Sequence, residues 1–302
     1  MKVLNFGSLN IDFVYSLDHF VQKGETISSE ALNIFSGGKG LNQSVALGRA
    51  GVSVYHAGAV GEDGQFLLAL MEQAGVDTRF VKKYTDVRTG NAIIQKDKSG
   101  DNCIILYGGA NQCITREQAD ETIKAFGKGD ILLLQNEINE MPYIMERAYT
   151  QGMKIVLNPS PMDARIAEMP LQCVSSFVLN EIEAGQILGL SKEESRSVQG
   201  EALAKALSEK FPGAEIVLTL GGAGSVYYGQ GKMVKQPIFK VQAVDTTAAG
   251  DTFTGYFLAG VIEGLPIEKT MELAAKAAAI AVSRAGAAPS IPTRKEVEEI
   301  VL

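Results

Sequence analysis

Residues 243–260 read AVDTTAAGDTFTGYFLAG, and one carboxylate, Asp251, directly follows Ala248, Ala249 and Gly250, three residues with almost no side chain. The apolar, aromatic run behind it, through Phe253 and Phe257, predicts a helix that begins here. Small residues leave the free amides of a first helical turn open, and such amides bind anions. A phosphoryl group fits that opening, with the Asp251 carboxylate favoured by the helix dipole and placed beside the anion as a proton acceptor. A carboxylate that merely assists a helix N-terminus leaves the three small neighbours unexplained.

A second glycine-rich stretch, FSGGKGLNQSVALGRAG at residues 35–51, sets Gly37 and Gly38 before Lys39 and then opens a helix. Its amides can take a polar or anionic ligand, and an ordinary strand-to-helix turn explains the glycines equally well. It is not a Walker loop, because Gly40 rather than Ser or Thr follows Lys39. LTLGGAGSVYYG, residues 218–229, lacks the helix that a dinucleotide fingerprint requires: SVYYG is β-prone, which predicts strand, turn, strand. Gly221, Gly222 and Gly224 let a nucleotide pass close to the backbone, although a tight hairpin calls for the same residues. In NEIEAGQILG, Asn180 and Glu183 stand three apart at a helix start, where a capping box and a functional pair are both open readings.

The elements that must carry these stretches alternate from residue 50 onward. GDILLLQ, MPYIMERAYTQG and KIVLNPS give strand, helix and strand, and SSFVLN and AEIVLTLGG continue the series, which is the rhythm of a parallel α/β domain. Residues 11–36 and 88–107 break it with apolar–polar alternation around KGE and KSGD, so both read as hairpins inserted into that domain. Paired, they form a small sheet placed as a lid over the C-terminal edge of the main sheet. Its edges can be covered by homodimerisation or blunted by charge, with Lys96 and Lys98 at hand. PTRKEVEEIVL predicts a terminal amphipathic helix capped by Thr293.

The 302 residues, 46% of them hydrophobic, suffice for one large core, and a net charge of −7 offers no basic excess for nucleic acid. The first residues lack a signal-peptide pattern and no apolar stretch is long enough to span a bilayer, which points to a cytoplasmic protein without a membrane partner. Cys103, Cys113 and Cys173 show no CxxC spacing and are expected as core thiols; His19 and His56, the two histidines of the chain, are expected to be structural.

Taken in order, GSLNID, GGKGLNQ, NEIE, TLGGAG and VDTTAAGDTF resemble the ribokinase-like, or PfkB, family of carbohydrate kinases over nearly the whole chain. The resemblance implies a single α/β domain over residues 1–302, with a mainly parallel central sheet flanked by helices and a small β-sheet lid. It also implies ATP-dependent transfer of the γ-phosphoryl group to a sugar hydroxyl, foremost the 5-hydroxyl of D-ribose, with another sugar or a nucleoside as alternatives. A non-catalytic sugar-binding protein on this fold would be signalled by loss of the base or by bulk in the anion hole, and neither occurs.

Roles follow by position. Asp251 is the implied general base, and the amides of Ala248, Ala249 and Gly250 stabilise the transferred group. The implied sugar set is Asn10, Asp12, Gly38, Lys39, Asn42, Glu137 and Asp251. Asn180, Thr219, Gly221, Gly222, Gly224, Gly250 and Ala275 fall at the nucleotide, and Glu183 at Mg²⁺ through water. The family's monovalent cation, K⁺, falls at Asp245, Thr247, Ala281, Arg284, Gly286 and Ser290, several through backbone carbonyls. Ala275 stands where some relatives have a polar or aromatic adenine contact. A homodimer through the lid completes the expectation.

Overall fold

Strand β1 (Val3–Phe6) is buried along its whole length in the computed structural model, which describes residues 1–99 and 101–301. The chain continues through β2 (Asn10–Ser16), β3 (Ala31–Gly37), α1 (Lys39–Arg49), β4 (Val54–Gly61), α2 (Gln65–Gln73) and β5 (Asp77–Tyr84). β6 (Gly90–Lys96), β7 (Asn102–Tyr107), α3 (Arg116–Ile123), β8 (Ile131–Gln135), α4 (Met141–Thr150) and β9 (Lys154–Asn158) follow. Then come β10 (Val174–Asn180), α5 (Glu181–Ile187), α6 (Lys192–Ser197), α7 (Gly200–Lys210) and β11 (Glu215–Thr219). The last elements are β12 (Ser225–Gly229), β13 (Lys232–Gln236), α8 (Ala249–Ile262), α9 (Ile267–Val282) and α10 (Arg294–Glu299), the last closed by a capping box from Thr293.

A nine-stranded sheet forms among the described residues in the order β13-β12-β11-β10-β9-β8-β1-β4-β5. It is parallel from β11 to β5, with β12 and β13 antiparallel. Period-2 alternation divides its side chains between two helix layers. On β8, Leu132 and Leu134 join α3, α4 and α7 in one apolar cluster, while Ile131 and Leu133 join α1, α8 and α9 in the other. From β1 the order steps to β4 on one side and to β8 on the other, so the C-terminal ends of β1 and β8 flank the crevice where open α/β sheets bind ligands. GGAGSVYYG forms a turn and strand, with β12 antiparallel to β11, and no helix follows the glycines.

The two inserted stretches form a four-stranded sheet in the order β3-β2-β6-β7. Each is an antiparallel hairpin, and they join through a parallel β2–β6 pair in register from Asn10–Gly90 to Ser16–Lys96. Gly100, in the KSGD turn, lies outside the described residues.

Two expectations are corrected. Cys103 is exposed on β7, and Cys113 and Cys173 are half-buried, so these are not core thiols. β7 is an edge strand exposed at every residue, and alternation there buries nothing. Lys96 lies on the inner strand β6, and Lys98 follows it, paired with Asp18 at 2.6 Å and Glu30 at 3.2 Å. The NCIILY edge therefore carries no blunting charge. No helix among the described residues is long and apolar enough to cross a membrane.

Candidate active site

The close approach of α1 to the segment after β1 is a steric matter. A side chain on Gly40 would stand 2.3 Å from the Ser8 nitrogen, and Gly38, the residue before α1, holds φ +91, which favours glycine. The Ser8 hydroxyl accepts from the Gly40 N–H at 3.2 Å and donates to Glu137 Oε2. That same carboxylate oxygen accepts from the Lys39 N–H at 2.9 Å. Glu137, just past β8, is thus clamped to the start of α1. Asn10 is fixed from the other side: Asn111 Nδ2 donates to its Oδ1 at 2.7 Å, and Asn111 Oδ1 accepts from the Leu9 N–H at 3.0 Å.

Asp251 sits in the first turn of α8 and is only 7% exposed. Asn42 Nδ2 donates to its Oδ2 at 3.0 Å and Gln43 Nε2 to its Oδ1 at 2.9 Å. Asn42 Oδ1 is buried without a partner. Ahead of the helix, Ala248 adopts the left-handed conformation at φ 60, a strained state for a non-glycine residue. The first bond of α8 runs from the Thr252 N–H to the Ala248 carbonyl, and the Ala249 N–H reaches back to Thr246 O at 3.3 Å. The Gly250 amide precedes any intrahelical partner.

The charges converge. Burial pushes the Lys39 ammonium down, but the carboxylates of Asp251, Glu137 and Glu183 more than offset this and leave it above its ordinary value. Burial first, and the Glu137 charge second, push the Asp12 carboxyl up from 3.8 to about 6. Asp12, Lys39, Asn42, Glu137 and Asp251 therefore occupy one crevice at the C-terminal ends of β1 and β8.

A second group lies at the ends of β10 and β11, where Asn180 and Thr219 pair in register. Asn180 and Glu183 form a complete capping box: the Asn180 side chain accepts from the Glu183 N–H at 2.9 Å, and Glu183 Oε2 from the Asn180 N–H at 3.0 Å. Gly221 and Gly222 are exposed in the following turn. Ala275 is half-buried on α9 against the apolar cluster of that layer.

A third group gathers around Asp245, whose Oδ1 accepts from the Thr247 N–H at 2.9 Å and whose Oδ2 accepts from the Gly286 N–H at 3.1 Å. Burial raises this carboxyl, but the hydrogen bonds from Thr247 and Gly286 outweigh it and hold it below its ordinary value. The Arg284 guanidinium turns away to Glu296 at 2.7 Å, and the Ser290 hydroxyl donates to Ala287 O at 2.8 Å. The Ala281 carbonyl accepts from the Arg284 N–H at 3.1 Å. Arg49, at the end of α1, donates to Ala288 O at 2.9 Å and ties the GGKG helix to this loop.

Beneath Asp251 runs a buried polar chain that motif reading passed over: Gln43, Gln135, Asn5, Ser44 and His56, each fully buried. Ser8 and Asn111 were passed over as well. Gln43 closes the GGKGLNQ stretch and Asn111 falls in GGANQ, and these polar residues among glycines were the available signals.

The family model for pfkB family carbohydrate kinases matches residues 1–294, and the chain belongs to that family. Its relatives narrow the comparison: it is 34% identical over 300 residues to a ribokinase of Haemophilus influenzae, covering 98% of this chain and 96% of that one. Among solved structures it is similar to a Cryptococcus neoformans ribokinase in complex with ADP, with a TM-score of 0.87, 36% identity and 99% of both chains covered. It is also similar to the Arabidopsis thaliana ribokinase complexed with ribose and ATP, with a TM-score of 0.88, 30% identity, and 99% of this chain and 97% of that one covered.

Proposed function

We propose that this carbohydrate kinase transfers the γ-phosphoryl group of ATP to the 5-hydroxyl of D-ribose. The observation that carries the reading is the meeting of Asn42 with Asp251 beside Asp12, Lys39 and Glu137, with the start of α8 next to them. Ribokinases among its relatives, one of them complexed with ribose and ATP, support the choice of sugar.

In the proposed step, Asp251 takes the proton of the attacking hydroxyl. The hydroxyl oxygen forms a bond to the γ-phosphorus as the bond to the bridging oxygen of ADP breaks. Amides of Ala248, Ala249 and Gly250 face the charge on the transferred group, with the share of Ala249 reduced by its bond to Thr246. Asn10, Asp12, Gly38, Lys39, Asn42 and Glu137 pair with sugar hydroxyls, and the open Asn42 Oδ1 is one acceptor available to them. Gly222 and Gly250 support a close approach by the nucleotide: a side chain on either would meet nothing within 4 Å, and neither needs a left-handed backbone. Asn180, Thr219, Gly221, Gly224 and Ala275 complete that proposed site.

Mg²⁺, which neutralises phosphate charge when bound, fits the ordered Glu183 carboxylate through water. A monovalent cation fits the ionised Asp245 with carbonyls of the 281–290 segment, K⁺ being the proposed ion. The uncharged β7 edge, with Ile104, Ile105, Leu106 and Tyr107 exposed, supports a homodimer through the small sheet. A cytoplasmic location, where ATP is at hand, belongs to the same proposal.

A coupled ADP-release assay over pentoses, hexoses and nucleosides tests the function. Ribose should give the highest kcat/KM; turnover of adenosine or fructose with none of ribose contradicts the substrate and leaves the family intact.

A further inference from the structure

The buried chain beneath Asp251 has a direction that can be deduced amide by amide. Asn5 Nδ2 spends its two hydrogens on Gly40 O at 2.7 Å and Ser44 Oγ at 2.8 Å, so Asn5 Oδ1 must accept. It accepts from Gln135 Nε2 at 3.0 Å, and the second hydrogen of Gln135 goes to Gln43 Oε1 at 2.6 Å. With its oxygen occupied, Gln43 can only donate: to Asp251 Oδ1 at 2.9 Å and to Asn158 Oδ1 at 3.3 Å. The far end is fixed too. His56 Nε2 lies 3.2 Å from the Gly7 carbonyl, which can only accept, so Nδ1 accepts from the Ser44 hydroxyl at 2.7 Å. Burial pushes the His56 imidazole down from 6.5 to about 4, which keeps it neutral, and the Gly7 carbonyl sets its tautomer.

Packing does not ask for this chain. Gln135 ends the strand ILLLQ, where another apolar residue would continue the core, and it leaves its own Oε1 buried without a partner so that both its hydrogens serve the relay. Turning any one amide over would bring oxygen against oxygen, and at the last link it would set Gln43 Oε1 against a carboxylate.

We infer that Gln43, oriented through Asn5 and Gln135, is a positioning residue that holds Asp251 Oδ1 and so fixes the carboxylate with Oδ2, which accepts from Asn42 Nδ2 and keeps a second lone pair, turned to take the sugar proton. The inference rests on the reading of Asp251 as the base. Asn42, by contrast, is placed among the sugar contacts; Gln43 and Gln135 are fully buried and act through Asp251 alone.

The test compares active-site-titrated kcat and both KM values in Gln43→Met, Gln135→Met, the double variant and Asp251→Asn. Gln43→Met should lose kcat by ~10–10²-fold, the size expected for a misplaced reacting group, with KM for ribose and for ATP within about twofold of the parent. Gln135→Met should lose less in the same way, and the double variant should be no worse than Gln43→Met, since the two act through one contact. A parent-like kcat in Gln43→Met, a loss confined to KM, or losses that multiply in the double variant would overturn the relay. If Gln43→Met does not fold, a parent-like kcat in Gln135→Met overturns it. In the unaltered chain, rapid solvent exchange of the Gln43 side-chain amide, which should be slow, does so too. An active Asp251→Asn would remove the base reading itself, whereas an inactive one beside a parent-like Gln43→Met would sink this inference alone.

Discussion

Asn42 and Asp251 stand 209 positions apart in the chain and 3.0 Å apart in space, the amide of one donating to the carboxylate of the other. Each sits at the start of a helix that opens among small residues, α1 within GGKG and α8 within TTAAG. The pair is incomplete by its own hydrogen-bond inventory, because Asn42 Oδ1 is buried without a partner. Under the proposed function, a sugar hydroxyl donating to Asn42 Oδ1 would complete it and bring the sugar against Asp251.

Asp251→Asn should keep the fold and leave ATP binding near the parent value, yet lose kcat by ~10²–10⁴-fold, because an amide cannot accept the hydroxyl proton. Steady-state kinetics with a nucleotide-binding titration checks both halves. More than half of the parent kcat would remove Asp251 from the role.

Asp12→Asn should trade stability against recognition. The folded-state carboxyl is raised from 3.8 to about 6, so the folded chain binds more protons than the unfolded one in that window. Its contribution is favourable below pH 3.8 and is lost as pH rises to about 6, which leaves a charged liability at neutral pH. Asp12 is half-buried, so the remaining solvent screening reduces the gain on neutralising it to ~1–2 kcal/mol at pH 8. Thermal unfolding of the ligand-free variant should show a higher Tm there, while kcat/KM for ribose falls by ~5–150-fold, equivalent to ~1–3 kcal/mol, with KM for ATP unchanged.

K⁺ should accelerate turnover several-fold at saturating Mg²⁺ and ATP. Asp245 joins the segment leading into α8 to the 281–290 loop through the Thr247 and Gly286 amides, and a cation beside it would order the start of α8. Equal rates in K⁺ and in tetramethylammonium at constant ionic strength would reject this.

His56 should set part of the acid limit of stability. Its folded-state value is lowered from 6.5 to about 4, so the unfolded chain binds more protons between these values. Stability from this group is complete above pH 6.5 and is lost progressively as pH falls toward 4, by ~3 kcal/mol at most. Urea titrations from pH 7 to 4.5 should show that slope in the parent and a flatter one in His56→Gln; the same slope in both would refute the assignment.

The alternation of strands and helices was legible because parallel strands buried on both faces are written as runs such as ILLLQ and KIVLN. The starts of α1 and α8 were legible for a different reason: small residues cluster beside Lys39 and Asp251, and at α1 their steric role shows in the structure, where Gly40 packs against Ser8. Asn10, Asp12 and Glu137 carry no such local mark and came from family resemblance. The Gln43–Gln135 bond escaped, since it joins residues 92 positions apart and a lone amide at the end of a strand looks like surface. Cys103 was misread because its burial depends on whether another element covers β7, which local sequence does not encode.

The most direct test of the central claim is ³¹P NMR of the product formed from ribose and ATP. A phosphate on the 5-position couples to two protons on its carbon and gives a triplet, which is the result expected here. No sugar phosphate signal, or the doublet of a phosphate carried on a ring carbon with one proton, would contradict the account.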